Sequence, residues 1–390
     1  MDQHYLDHAA TTPMRAVAIE AMTEHLGSVG NAGSSHAAGR QARRVVEESR
    51  ERIAAALGCR PGEVVLTSGG TEADNLAVKG LFWSRHAEDP RRVRILSTTV
   101  EHHAVLDPMQ WLAAQAGAKV ELLDVDRHGR LDPETFRAAV ERDPDSVALA
   151  SVMWANNEVG TVQPVAEVAG IAAEHGIPVH TDAVQAVGAV PVDFAASGVH
   201  ALTFTGHKLG GPFGVGGLVT RREAQLTPLA HGGGQERGLR SGTLDVPGVA
   251  ALAAAVAEAV EGREEHARRL GALRDALVDG IRARVPDATL NGDPEHRLPG
   301  NAHLTFPGCE GDSLLMLLDA AGIACSTGSA CSAGVPQASH VLLAMGYDDE
   351  PARSSLRFSL GHTSTRADVD AVVAAIGSAV ERVRGTRVAR

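Results

Sequence analysis

The chain has 390 residues, 44% of them hydrophobic and 22% charged, with 36 Lys plus Arg against 48 Asp plus Glu for a formal net charge of −12. That composition excludes a disordered chain, and the acidic balance with 3% aromatics excludes a nucleic-acid scaffold, which needs a basic face and stacking rings. Cys59, Cys309, Cys325 and Cys331 have no paired metal-ligand spacing, and the opening residues lack the basic and apolar regions of a signal peptide, so a cytoplasmic chain with free thiols is expected. No membrane span is expected, because the most apolar stretch, 249–260, is mostly alanine and is interrupted by Glu258.

In chain order, a helix is predicted over 39–57, where Val46, Ile53 and Leu57 share a face, Arg44 and Glu48 pair one turn apart, and Gly58 closes the end. Short apolar runs at 63–68, 92–99, 119–125, 147–154, 177–182, 201–205 and 215–221 read as strands. Helical segments separate them, one capped by Asp132 with Pro133 in its first turn, and the alternation predicts a largely parallel α/β sheet. A long helical stretch rich in Ala, Glu and Arg follows over 250–285, as a lever to a second, smaller α/β unit. That unit has strands at 302–306 and 355–360 and a closing helix near 367–383.

Three constellations carry chemistry. Thr67-Ser68-Gly69-Gly70-Thr71-Glu72 runs from a strand end through two glycines into a helix start, where exposed N–H groups and the helix dipole hold a phosphate; a tight turn capped by Thr71 fits it equally well. The strand at 201–205 delivers Thr205, His207 and Lys208 into a glycine-rich loop, where the lysine is placed either to be desolvated for Schiff-base formation or to be solvated at a strand end. Asp182 ends another strand, with Gln185 one turn later, and there a carboxylate either caps a helix or faces the crevice of the sheet and pairs with a pyridinium nitrogen. A phosphate cradle, a ring-nitrogen partner and an imine-forming amine at strand ends of one sheet together point to pyridoxal phosphate (PLP).

The sequence resembles the cysteine desulfurases, specifically the NifS-like group I branch of the class V aminotransferase family of fold-type I PLP enzymes. The resemblance rests on Tyr5-Leu-Asp-His-Ala-Ala-Thr-Thr, Gly30-Asn31, Thr67-Ser-Gly-Gly-Thr-Glu-Ala-Asp-Asn, Glu101-His102-His103, Asn156-Asn157-Glu158, His180-Thr-Asp-Ala-Val-Gln and Thr205-Gly-His-Lys. It continues through Gly232 to Thr243, Ser329-Ala-Cys331 and Leu356-Arg-Phe-Ser-Leu-Gly. It implies a large PLP-binding domain over 15–261, with a mostly parallel seven-stranded sheet flanked by helices, and a small α/β domain of 1–14 and 262–390 carrying the catalytic Cys loop.

The resemblance also implies roles. Lys208 binds the cofactor covalently, and His102 stacks on the ring as acid and base. Asp182 pairs with the pyridine nitrogen; Gln185 and Asn157 bond around the phenolate oxygen. Gly70, Thr71, Thr205 and His207 hold the phosphate, which Thr243 reaches from the other subunit of a homodimer. Arg357, with Asn31 and Asn157, binds the substrate, and the Arg357 guanidinium forks the carboxylate of L-cysteine. Cys331 takes the sulfur as a persulfide and passes it to an acceptor protein, an iron–sulfur scaffold or a tRNA thiolase. The one metal contact implied is transient iron–sulfur ligation by Cys331. Cys325 is expected to be a small buried hydrophobe. The order of glycines before Lys and Ser/Thr that marks a nucleoside-triphosphate loop is absent.

Overall fold

The computed structural model describes residues 3–328 and 338–388. All seven expected strands form one sheet: β1 (Val64–Thr67), β2 (Arg94–Thr98), β3 (Lys119–Leu123), β4 (Val147–Ser151), β5 (Val179–Asp182), β6 (Ala201–Thr205) and β7 (Gly216–Thr220). Their spatial order is β1-β7-β6-β5-β4-β2-β3. Neighbouring pairs from β6 to β3 are parallel. β7 runs antiparallel to both β1 and β6. The two reversals cancel, so β1 points the same way as β6, and the carboxyl ends of β1, β2, β4, β5 and β6 share one edge. Open α/β sheets bind their ligands at such an edge.

Helices cover both faces, which is why the central strands are apolar throughout rather than alternating; every residue of β4 and β6 is buried. Helix Ala37–Leu57 lays Val46, Ile53 and Leu57 into the core and ends at Gly58 in the left-handed conformation (φ 67°). Asp132 caps helix Pro133–Glu141 by accepting from the Glu134 N–H.

The stretch expected as one long helix divides at Gly262 into Val246–Glu261 and Arg263–Arg284. Glycine is a poor helix former, and the break serves two cores. Val249, Leu252 and Val256 join the core under the large sheet, whereas Leu277 and Ile281 join a second core with Leu304, Leu356, Phe358, Val372 and Ile376. This second core lies on a three-stranded antiparallel sheet of Thr289–Leu290, Asn301–Thr305 and Ser355–Ser359. The amino terminus belongs to it as well: His4–Tyr5 pairs in parallel with Ile323–Ala324, and Leu6 is fully buried there. Residues 7–12 then cross toward the carboxyl edge of the large sheet.

Candidate active site

At the end of β1 the chain turns through Gly69, whose φ of 150° is a conformation that L side chains rarely adopt, into helix Gly70–Glu88. Gly69 is the cap residue, so Thr71 lies in the first turn rather than at the cap. A Cβ on Gly70 would approach Val184 Cγ2 to 3.0 Å, so a small residue keeps the first-turn N–H groups open. Thr205, the buried last residue of β6, faces the same space. His207 follows, with Nδ1 3.3 Å from Thr11 Oγ1 and its ring stacked on Phe213. Burial, then the Lys208 charge, pushes its pKa to about 4, so it offers this cradle hydrogen bonds and no charge near neutral pH.

Lys208 Nζ donates to the carbonyl oxygens of Ala9 and Ala10 at 2.5 and 2.6 Å. Burial and the Arg357 charge push its pKa to about 8, against Asp7 and Asp182, which brings a neutral, nucleophilic amine within reach near neutral pH. Asp182, at the end of β5, accepts the Val184 N–H at 2.9 Å, so it fixes the following turn and also lines the crevice. Burial raises its pKa, while His102 and Lys208 favour the charged form. His102 caps helix His103–Ala116: its Nδ1 accepts the Ala104 N–H at 3.1 Å, which puts the proton of the neutral ring on Nε2. Burial holds that ring below the ordinary histidine range, against the pull of Asp182.

The small sheet supplies the opposite wall. Arg357 is 4% exposed, and its backbone exchanges two hydrogen bonds with Ser326, at 2.6 and 3.1 Å. Its Nη1 donates to the Asn157 carbonyl at 2.9 Å and its Nη2 to Asp7 Oδ1 at 2.8 Å; Nε has no partner among the described residues. Gln185 Nε2 donates to the Ala9 carbonyl at 2.9 Å.

A cavity of about 490 Å³ is lined by Gly70, Thr71, His102, Asn157, Asp182, Gln185, Thr205, His207, Lys208 and Arg357 together. Two expected residues stand apart: Asn31 and Thr243 are exposed and do not line it, and Asn31 Oδ1 accepts the Gly33 N–H instead. Cys331 lies outside the described residues, but Ser326 and Gly328 before it and Ala338 and His340 after it line the cavity. Cys325 is buried in the second core, and burial, reinforced by Asp7, pushes its thiol up to about 12. Among the described residues no three His, Cys, Asp or Glu side chains group to hold a metal ion, and no helix is long and apolar enough to cross a membrane.

Some residues of this wall went unread in the sequence. Asp74 is 1% exposed, one helical turn beyond Gly70. Its Oδ1 has no hydrogen-bond partner among the described residues, although His180 Nε2 stands 3.5 Å away, and burial followed by the Asp182 charge raises its pKa. Glu158 accepts from Ser339 Oγ at 2.5 Å, tying the asparagine loop to the chain beyond Cys331. The i,i+4 spacing from Gly70 could have placed Asp74; nothing local marks Glu158 or Asp7.

Residues 4–372 match the family model described as aminotransferase class-V. The chain is 57% identical over 381 residues to an "IscS-like cysteine desulfurase" of Mycobacterium tuberculosis, covering 97% of each. Among solved structures it is similar to a "NifS-like protein" (TM-score 0.87, 35% identity, 100% of both chains). It is also similar to "SspA in complex with cysteine" (TM-score 0.79, 32% identity, 92% of this chain and 98% of that one).

Proposed function

The chain belongs to the class-V aminotransferase family and, within it, to the cysteine desulfurases, and from that premise we propose how its residues divide the work of taking sulfur from L-cysteine and leaving L-alanine. The cofactor is PLP. The cavity suits it: a glycine-lined helix start for the phosphate, a buried carboxylate for a ring nitrogen, and a lysine whose amine is easily made neutral. Bound there, the cofactor supplies an electron sink for negative charge at the substrate Cα.

Lys208 would bond the cofactor, and the carbonyls of Ala9 and Ala10 hold its amine where it is not so bonded. Asp182 keeps a proton on the ring nitrogen, and Asn157 and Gln185 bond the phenolate oxygen. Gly70, Thr71, Thr205 and His207 hold the phosphate, joined across a homodimer by Thr243 of the second subunit; its exposed position away from its own cavity suits that role. His102 serves as acid and base through Nε2. Arg357 takes the substrate carboxylate, aided by Asn157 and, from its exposed loop, Asn31. The thiolate of Cys331 attacks the substrate sulfur, an S–S bond forms as the Cβ–S bond breaks, and protonation of the carbon fragment completes alanine.

In this reading residues 15–261 form the cofactor domain and 1–14 with 262–390 the smaller one, a division supported by the helices on either side of Gly262 joining different cores. The enzyme works in the cytoplasm and hands its sulfur to an iron–sulfur scaffold or a tRNA thiolase. The observation that carries the reading is the convergence of Lys208, Asp182 and Arg357 on one cavity. Borohydride reduction of the PLP-loaded enzyme followed by peptide mapping tests it: the pyridoxyl group belongs on Lys208, and its recovery on another lysine rejects the assignment.

A further inference from the structure

The helix turn that supplies Gly70 and Thr71 to the phosphate cradle of the reading above also carries a carboxylate. Glu72 stands in the first turn of helix Gly70–Glu88, directly after Gly70 and Thr71. Its Oε2 accepts the Ser68 N–H at 2.7 Å and so fixes the turn that opens the cradle. A full negative charge thus lies in the same helix turn as the residues assigned to a group of charge about −1.5 to −2. Gly70, Thr71 and Thr205 carry no charge, and His207 is neutral near pH 7. The cradle therefore offers dipoles and hydrogen bonds, with no cation of its own to offset Glu72.

The offset comes from elsewhere in the chain. Arg240 Nε donates to Glu72 Oε1 at 2.8 Å, and its Nη2 reaches Oε2 at 3.4 Å. Burial alone would raise the Glu72 pKa, but Arg240 and Ser68 outweigh it and hold the carboxyl below its ordinary range. The segment carrying Arg240 has a second, independent anchor, where Glu236 accepts the Leu66 N–H at 2.7 Å and pairs with Arg50. Losing Arg240 thus strands a charge without freeing the segment.

We propose that Arg240 is a positioning residue of the phosphate cradle, neutralising the Glu72 carboxylate that shapes the turn so that the turn accepts an anion. The inference rests on the assignment of Gly70 and Thr71 to the phosphate. Glu72 and Arg240 are about a quarter exposed (25% and 23%), so solvent screens part of the effect.

The test is titration of the cofactor-stripped chain with PLP and with pyridoxal, which lacks the phosphate, read by absorbance. Wild type binds PLP more tightly than pyridoxal. Arg240→Ala lowers PLP affinity roughly fivefold and leaves pyridoxal unchanged, while adding Glu72→Gln restores PLP affinity to within about twofold of wild type. A double variant as weak as Arg240→Ala overturns the proposal, because the arginine then acts on the phosphate itself or through the segment. Equal weakening of both ligands also overturns it, as a purely structural effect. A wild type indifferent to the phosphate removes the cradle assignment, and the inference with it.

Discussion

Arg357 donates from Nη2 to a carboxylate oxygen of Asp7 at 2.8 Å, across the seam between the small sheet and the amino-terminal segment. With Nη1 on the Asn157 carbonyl, each terminal nitrogen has one partner among the described residues, so the guanidinium lining the cavity keeps N–H donors for a carboxylate. Arg357→Ala should therefore raise the KM for cysteine by at least about tenfold and lower kcat less. Asp182→Ala should abolish turnover even at saturating cysteine. Steady-state kinetics over a wide cysteine range separates the two, and unchanged KM in the arginine variant would refute the clamp.

The depressed Lys208 pKa gives a pH dependence with a definite sign. Only the neutral amine attacks the aldehyde of PLP, so the rate at which the stripped enzyme takes up cofactor should rise with pH, pass its midpoint near the Lys208 value of about 8, and level off above it. Stopped-flow absorbance measures the rate directly. A midpoint near 10.5, the ordinary lysine value, would mean that burial and Arg357 do not act on the amine as described.

Stability offers an independent check on the loop that carries Arg240 and Thr243. Glu236 takes both Arg50 guanidinium ends, at 2.8 and 2.9 Å, with side-chain exposures of only 2% and 10%. Glu236→Ala leaves the Leu66 N–H without its partner and the largely buried Arg50 guanidinium with only the Val64 carbonyl and the more exposed Glu47, and should cost about 3 kcal/mol in denaturant unfolding. An Arg50→Met, Glu236→Leu double variant should recover much of that loss. A single-variant cost below about 1 kcal/mol would show the pair to be solvated.

The sequence placed all seven large-sheet strands because strands buried on both faces appear as continuous apolar runs, and because capping residues such as Gly58 and Asp132 act locally. It placed Lys208, Asp182 and Gly70 because each sits at or just past a strand end. The break at Gly262 has a local signal in the glycine itself, whereas the antiparallel setting of β7 depends on which surfaces meet, which no local pattern records. The same holds for Asp7 on Arg357, 350 positions apart in the chain, and for the Ala9 and Ala10 carbonyls on Lys208. The Tyr5–Thr12 motif supported the family resemblance without disclosing that its backbone is part of the active-site wall.

The central claim is that the sulfur of cysteine comes to rest on Cys331. Cys325 is a poor alternative, since burial and neighbouring carboxylates push its thiol to about 12 and leave little thiolate at neutral pH. The direct measurement is mass analysis of the PLP-loaded enzyme after exposure to L-cysteine, with wild type, Cys331→Ser and Cys325→Ser compared. The account predicts an added sulfur atom on the Cys331 peptide in wild type and in Cys325→Ser, and none in Cys331→Ser, which should still bind cofactor. A sulfur adduct that persists in Cys331→Ser and disappears in Cys325→Ser would contradict it.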